Sequence, residues 1–159
     1  MAVLMVISLP VACRTGESVQ VSSIIDGDTI RISGNTSVRY IGIDAPEIGE
    51  PYYYQARDYN AGLLRWKNIT LQADSTDKDV YGRLLRYLFA DDVLVNAELV
   101  KQGYALVYAR EKFPDNRYYQ IFKSALDDAA KLGKGIWSQK SHPKLVYKDD
   151  YYLPAFISK

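Results

Sequence analysis

The sequence predicts an α+β domain built on a five-stranded, partly open Greek-key barrel, the OB-fold. Five short runs rich in Val, Ile, Leu, Thr and Tyr carry this reading, and turn-forming residues punctuate them. Segments with helical spacing follow the third and the fifth run, so helices are expected to cover the barrel. A chain of 159 residues, 48% of them hydrophobic, can bury one sizeable core. No internal repeat, low-complexity tract or linker divides it.

In chain order, "SVQVSSII" and "TIRIS" read as strands flanking Asp26-Gly27-Asp28, where Gly27 is expected to let the backbone turn. "GNTS" marks a second turn and "VRYIGI" a third strand. "DAPEIGEPYYY" is a loop by its prolines and glycine. In "QARDYNAGLLRW", Ala56, Tyr59, Leu63 and Trp66 share a helical face. "NITLQA" and "RLLRYLFA" are the fourth and fifth strands, with the polar loop "DSTDKDVYG" between them. "VLVNAELVKQG" is a short helix closed by Gly103. "DNRYYQIFKSALDDAAKLGKG" is a longer amphipathic helix with Asp115 or Asn116 as N-cap and Gly133 at its end.

The ends differ from this body. Ala2 to Cys13 is apolar, interrupted only by Ser8 and Pro10. It is shorter than the ~20 apolar residues that span a bilayer, and it fits the apolar region of an export signal. No Lys or Arg precedes it, and Leu9 lies one position too far from Cys13 for a lipoprotein cleavage box. Export or cell-envelope attachment is favoured over a cytoplasmic location, with membrane contact only through residues 2–13. The expected organisation is a signal or anchor segment over 1–17, one domain over 18–140, and a C-terminal tail over 141–159.

Composition removes several chemistries. With one Cys and one His, no intrachain disulfide, Cys/His zinc cluster or Ser-His-Asp triad can be assembled. His142, beside Pro143, reads as a surface residue. Lys and Arg total 20 against 19 acids, less basic than a passive nucleic-acid coat, although a local basic cleft remains compatible. The 14 tyrosines suit either base stacking or core filling with one polar end. Catalysis is therefore left to carboxylates, Arg, Lys or Tyr with a hard metal ion.

Four acids fall at strand ends: Asp26, Asp28, Asp44 and Glu47. Each alone reads as a turn or cap residue. Together, on paired strands, close carboxylates would raise one another's pKa, and a divalent cation removes that conflict. All-oxygen ligation suits Ca²⁺ or Mg²⁺, and a loose mixture of carboxylate, carbonyl and water favours Ca²⁺. Arg39 and Arg83 add forked donors suited to phosphate; the competing reading is ion pairing with these same acids. Strict alternation along "RYIGID" puts Arg39 and Asp44 on opposite faces, so the strand is expected to bend near Gly42 or end before Asp44.

The segments "IDGDT", "RYIGIDAPE", "DVYGRLLRYLF", "VNAELVKQGYA" and "GIW" resemble, in order and approximate spacing, the staphylococcal nuclease (thermonuclease) family over roughly residues 20–138. The resemblance implies an OB-fold, Ca²⁺-dependent nuclease acting on single-stranded DNA and RNA and leaving 3′-phosphate ends, with no stable protein partner and a monomeric state. It implies Asp28 and Asp44 as calcium carboxylates, the Ala45 carbonyl as a further ligand, and Asp26 as a neighbour. Glu47 corresponds to the general base or water-orienting group, and Arg39 and Arg83 to the phosphate-binding pair. Tyr81 and Tyr108 correspond to nucleotide-contacting residues, and Asp79 lies adjacent. The stretch "VYARE" lacks the family's second tyrosine. Tyr52 to Tyr54 are candidates to replace its stacking, with core packing as the other reading. Two further classes are a non-catalytic nucleic-acid-binding module of the same fold and an interaction or envelope domain with a structural calcium clip.

Overall fold

The computed structural model describes residues 16–108, 116–138 and 151. The apolar segment 2–13, the candidate cap Asp115, the "ARE" of "VYARE" and His142 lie outside them. Nine strands and three α-helices are present among the described residues. β1 (Glu17–Val19) and β2 (Val21–Ile24) are separated by Gln20 alone, and β3 (Thr29–Ile32) and β4 (Thr36–Tyr40) follow. β5 (Ile43–Asp44) precedes α1 (Tyr53–Leu64). Then come β6 (Ile69–Gln72), β7 (Leu84–Ala90), β8 (Val93–Leu94), α2 (Val95–Lys101), β9 (Leu106–Val107) and α3 (Tyr119–Lys131).

Seven strands form one mixed sheet in the order β1-β6-β7-β4-β3-β2, with β8 beside β7. Only β4 and β7 run parallel. Among the described residues the pairing is an open path, without a closed barrel. The expected first strand divides because the chain changes partner, from β6 before Gln20 to β3 after it. A register shift between Val21 and Ser23 helps it bend, as a bulge does. Since β1 and β2 end opposite sides of the path yet adjoin in sequence, the sheet curls strongly.

The expected third strand also divides. β4 stops at Tyr40, Gly42 takes φ +76°, and β5 then pairs with β9 in a separate two-stranded ribbon. Asn96 seals the break: its Nδ2 donates to the Ile41 carbonyl at 3.1 Å, and its Oδ1 accepts the Leu88 N–H at 3.0 Å. These bonds satisfy backbone groups that would otherwise be costly to bury.

The core lies between the sheet and the helices. Val38, Tyr40, Ile43, Tyr87, Leu88, Leu99, Phe122 and Leu126 are almost fully buried. Burying each large apolar side chain contributes about 1.5–3 kcal/mol. Tyr40 and Tyr87 fill core volume while their hydroxyls find partners, Tyr40 on Asn60 Oδ1 at 2.9 Å and Tyr87 on Asp74 and Asn116. On α1, Ala56, Asn60 and Leu64 are buried, with Tyr59 and Leu63 packed beside the core. Trp66 departs from the expected face. The helix ends at Leu64, Trp66 takes φ 61°, and its ring is 89% exposed beneath the Arg65 guanidinium. Asn116 is not the N-cap of α3: Tyr118 takes that position without a side-chain cap bond, and Asn116 Oδ1 instead accepts the Tyr118 N–H at 3.2 Å in the turn before the helix.

Gly27 is needed for a different reason from the expected one. A Cβ there would stand 2.6 Å from the Ala45 Cβ and 2.8 Å from the Ala56 Cβ. Its missing side chain lets the β2–β3 turn, the segment after β5, and α1 meet at one point.

Gly42→Ala should lower stability by about 1–2 kcal/mol, mainly through the left-handed backbone, with crowding against Asn116 and Phe122 added. The new Cβ would lie 2.3 Å from Asn116 Nδ2 and 3.1 Å from the Phe122 ring. Urea denaturation measures this, and a change within about 0.5 kcal/mol would contradict the account.

Candidate active site

Register brings the acids to Arg39. In the β3–β4 hairpin Thr29 faces Arg39, and the Asp28 carbonyl accepts the Tyr40 N–H at 2.9 Å. The break at Gly42 then returns the chain so that Asp44 reaches the same guanidinium. Arg39 Nη1 lies 2.8 Å from Asp28 Oδ2, and Nη2 lies 2.9 Å from Asp44 Oδ1. All three side chains are buried. The bend inferred from the alternation conflict is therefore present, and the ion-pair reading of Arg39 describes its contacts.

Asp28 and Asp26 differ in kind. Asp28 Oδ1 accepts the Thr29 hydroxyl at 3.1 Å, and its Oδ2 accepts the Ala45 N–H. Asp26 Oδ1 accepts the Asp28 N–H at 3.0 Å, an Asx-type turn that holds Asp28 in place. The Asp26 carbonyl accepts Asn60 Nδ2 at 3.2 Å, and Asn60 Oδ1 takes the Tyr40 hydroxyl. Asn60 thus ties α1 to the turn and to β4.

The second arginine has its own anchor. The Asp79 carboxylate accepts the backbone N–H of Tyr81 at 2.9 Å and of Arg83 at 3.0 Å, and pairs with Arg83 Nε at 2.6 Å. The Arg83 guanidinium lies 5.5 Å from the Tyr81 ring centroid, and Tyr81 is exposed. A cleft of about 270 Å³ gathers these groups, lined by Arg39, Asp44, Glu47, Asp79, Tyr81, Arg83 and Tyr108 among others. Glu47 stands at its exposed edge, where its N–H donates to Glu50 Oε2 at 2.7 Å.

Tyr52 to Tyr54 are not among the cleft's lining residues. The Tyr52 hydroxyl bonds Ser138 Oγ, Tyr53 donates to the Ile25 carbonyl, and exposed Tyr54 stacks under Arg57. A residue missed from sequence is Tyr151. Its hydroxyl donates to Asp44 Oδ2 at 2.7 Å, and its ring stacks on Tyr108 with centroids 5.3 Å apart. The only advance signal was the density of tyrosines in the last stretch of the chain.

The centre is short of positive charge. Burial pushes the Asp28 carboxyl up to about 7; Arg39 pulls the other way, while Asp26 and Asp44 add to the rise. For Arg39, burial alone would lower the pKa, but Asp28 and Asp44 outweigh it and the group shifts upward. Burial and then Asp44 push the Tyr108 phenol up to about 12. With both carboxylates ionised, two acids around one guanidinium would carry a net negative charge that a hard cation would balance. Asp44 meets Arg39 through Oδ1 and Tyr151 through Oδ2. Asp28 and Asp44, with Ala45 fastened beside them through its N–H, are the oxygen donors here whose chemistry suits a hard cation. Among the described residues no group of three or more His, Cys, Asp or Glu side chains converges for a metal.

A mixed sheet capped by helices, with a buried aspartate, two arginines and a glutamate at one cleft, defines an α+β domain whose charged groups suit a phosphate-bearing ligand. The chain belongs to the family described as "Staphylococcal nuclease homologue", whose model matches residues 37–139. It is similar to the "Thermonuclease" of Staphylococcus hyicus, with 34% identity over 133 residues, covering 77% of this chain and 76% of that protein. The "Thermonuclease" of Staphylococcus intermedius is 35% identical over 135 residues, covering 78% of each. An "Uncharacterized endonuclease" of Escherichia coli O157:H7 is 30% identical over 140 residues, covering 86% of each.

In metal-free buffer, stability should fall as pH rises from about 4 towards 7. Unfolded Asp28 ionises near 3.8 while the folded group holds its proton to about 7, so the folded state binds more protons in this window. Asp28→Asn should flatten the fall, as read by thermal unfolding at stepped pH in EGTA. An unchanged profile would contradict the assignment.

Proposed function

We propose that this chain is a Ca²⁺-dependent nuclease that hydrolyses phosphodiester bonds in single-stranded DNA and RNA, leaving 3′-phosphate ends. Family membership and thermonuclease and endonuclease relatives support the nuclease class. The observation that carries the finer reading is the acid–arginine cleft: Asp28 and Asp44 joined through Arg39, with Arg83 and Glu47 lining the same cavity as Asp44. In this reading the five expected strands remain as an OB-type barrel, with β1 and β2 counted as one bent strand beside β3, β4, β6 and β7.

Asp28 and Asp44, with the Ala45 carbonyl, would hold the cation. A cation held there would supply positive charge to the phosphate and favour deprotonation of water. Arg39 directs three donor hydrogens to Asp28, Asp44 and the Tyr40 carbonyl. Its remaining two of five can address phosphate. Asp79 takes Arg83 at Nε, leaving the two Nη groups to fork onto phosphate oxygens among the described residues. Glu47, at the water-exposed edge, orients the attacking water opposite the leaving group. Tyr81 and Tyr108 line the walls where nucleotide rings would rest. Export of the chain, with action as a monomer, completes the proposal from the sequence.

Digestion of denatured DNA with Ca²⁺ and then with EGTA tests the reading. Cleavage only with Ca²⁺ supports it; binding without cleavage indicates a non-catalytic module. Neither binding nor cleavage would indicate the interaction domain. Arg83→Ala should lower turnover by about 10³, as arginines in phosphoryl transfer do, and a loss below about tenfold would remove it from the mechanism. Arg39→Ala is a poorer probe because it strands two buried acids, a loss of about 3–5 kcal/mol. Arg39→Lys keeps a charge between them and should still lose most turnover. Asp28→Ala should abolish Ca²⁺-dependent cleavage while Asp26→Ala reduces it mildly. Equal, mild losses would return Asp26-Gly27-Asp28 to an ordinary hairpin turn.

A further inference from the structure

Tyr151 is separated from Asp44 by 107 positions, yet it makes three kinds of contact at the cleft. Its hydroxyl donates to Asp44 Oδ2 at 2.7 Å. Its ring lies nearly parallel to Tyr108, at 17° and 5.3 Å between centroids. Its backbone forms an isolated antiparallel bridge with Tyr108. Tyr108 in turn is fixed to the strand break, because its N–H donates to the Gly42 carbonyl at 3.1 Å. Tyr108 lines the cleft, and Tyr151 stacks against it.

We propose that Tyr151 is a positioning residue of the active site: it sets the Asp44 carboxylate with its hydroxyl and braces the Tyr108 wall with its ring. Asp44 is thereby held at both oxygens, Oδ1 by Arg39 and Oδ2 by Tyr151. A carboxylate held this way cannot rotate about its last torsion, and a ligand oxygen so fixed loses less entropy when it meets a cation. Outer hydrogen-bond partners of metal ligands typically change affinity or activity by about 10–100-fold when removed. The ring acts separately. With its outer face covered by Tyr151, Tyr108 presents one ordered face to the cleft, and an aromatic surface of that kind suits an unstacked nucleobase. The inference rests on the nuclease reading, which gives Asp44 its cation and Tyr108 its substrate.

Two variants of the full-length chain separate the contributions. Tyr151→Phe keeps the stack and removes the hydroxyl; Tyr151→Ala removes both. Calorimetric Ca²⁺ titration should show roughly tenfold weaker binding in Tyr151→Phe. Its KM for single-stranded DNA at saturating Ca²⁺ should be unchanged. Tyr151→Ala should show the same loss of Ca²⁺ affinity and, in addition, severalfold weaker binding of a single-stranded oligonucleotide in EGTA, read by fluorescence anisotropy. Tyr151→Phe equal to the parent in Ca²⁺ affinity would overturn the proposal. So would tighter Ca²⁺ binding, which would mean that the hydroxyl competes for the oxygen. A parent chain that neither binds Ca²⁺ nor cleaves DNA fails differently: it overturns the nuclease reading and takes this inference with it.

Discussion

The guanidinium of Arg39, buried between the carboxylates of Asp28 and Asp44, is the constraint around which the rest of the molecule is arranged. Three charged groups in a place almost without water are costly unless each is matched in geometry as well as sign. The match here is reached by register. The β3–β4 hairpin brings Asp28 beside Arg39, and a left-handed glycine lets the chain double back with Asp44. The hydrogen bonds from Thr29 and Ala45 to Asp28, and from Tyr151 to Asp44, complete the pairing.

That arrangement explains features that look unrelated when taken singly. Asn96 and Asn60 are fully buried polar residues on two different helices, and each serves this centre from outside. Asn96 satisfies the carbonyl freed where β4 ends, while Asn60 joins the turn before Asp28 to the strand carrying Arg39. The parallel pairing of β4 with β7 sets Arg39 opposite Leu85, two residues beyond Arg83. Asp79 then closes its own small loop on Arg83. The two arginines reach one cleft by different means, one locked in the core and the other propped at the surface.

Much of this was legible in the sequence where the determining forces are local. Alternation along "RYIGID" conflicted with a shared site for Arg39 and Asp44, and Gly42 was the residue able to resolve it. Asp26-Gly27-Asp28 was readable as a turn with unequal acids. The reason for Gly27 was not readable, because its neighbours Ala45 and Ala56 come from other segments. The division of β1 from β2 likewise depends on a change of partner that no local propensity records. Trp66 illustrates the opposite error: its spacing continued a helical face, but the helix had already ended. Tyr151 carried no local signal of contact with Asp44, since nothing within its own stretch refers to a residue so distant.

The unequal spans of these contacts bear on how the molecule opens. Asp44 reaches Arg39 across 5 positions, and the Ala45 N–H reaches Asp28 across 17, whereas Tyr151 reaches Asp44 across 107. Closing the longest of these loops costs roughly 1.5 kcal/mol more chain entropy than closing the 17-residue one. The ionic centre is thus a short-range object, assembled within one hairpin and the turn that follows it. The hydroxyl brace is a long-range clasp fastened over it. Fluctuations that release Tyr151 loosen one oxygen of Asp44 while leaving the hairpin's ion pairs in place, so the site has an intermediate degree of order between assembled and unfolded.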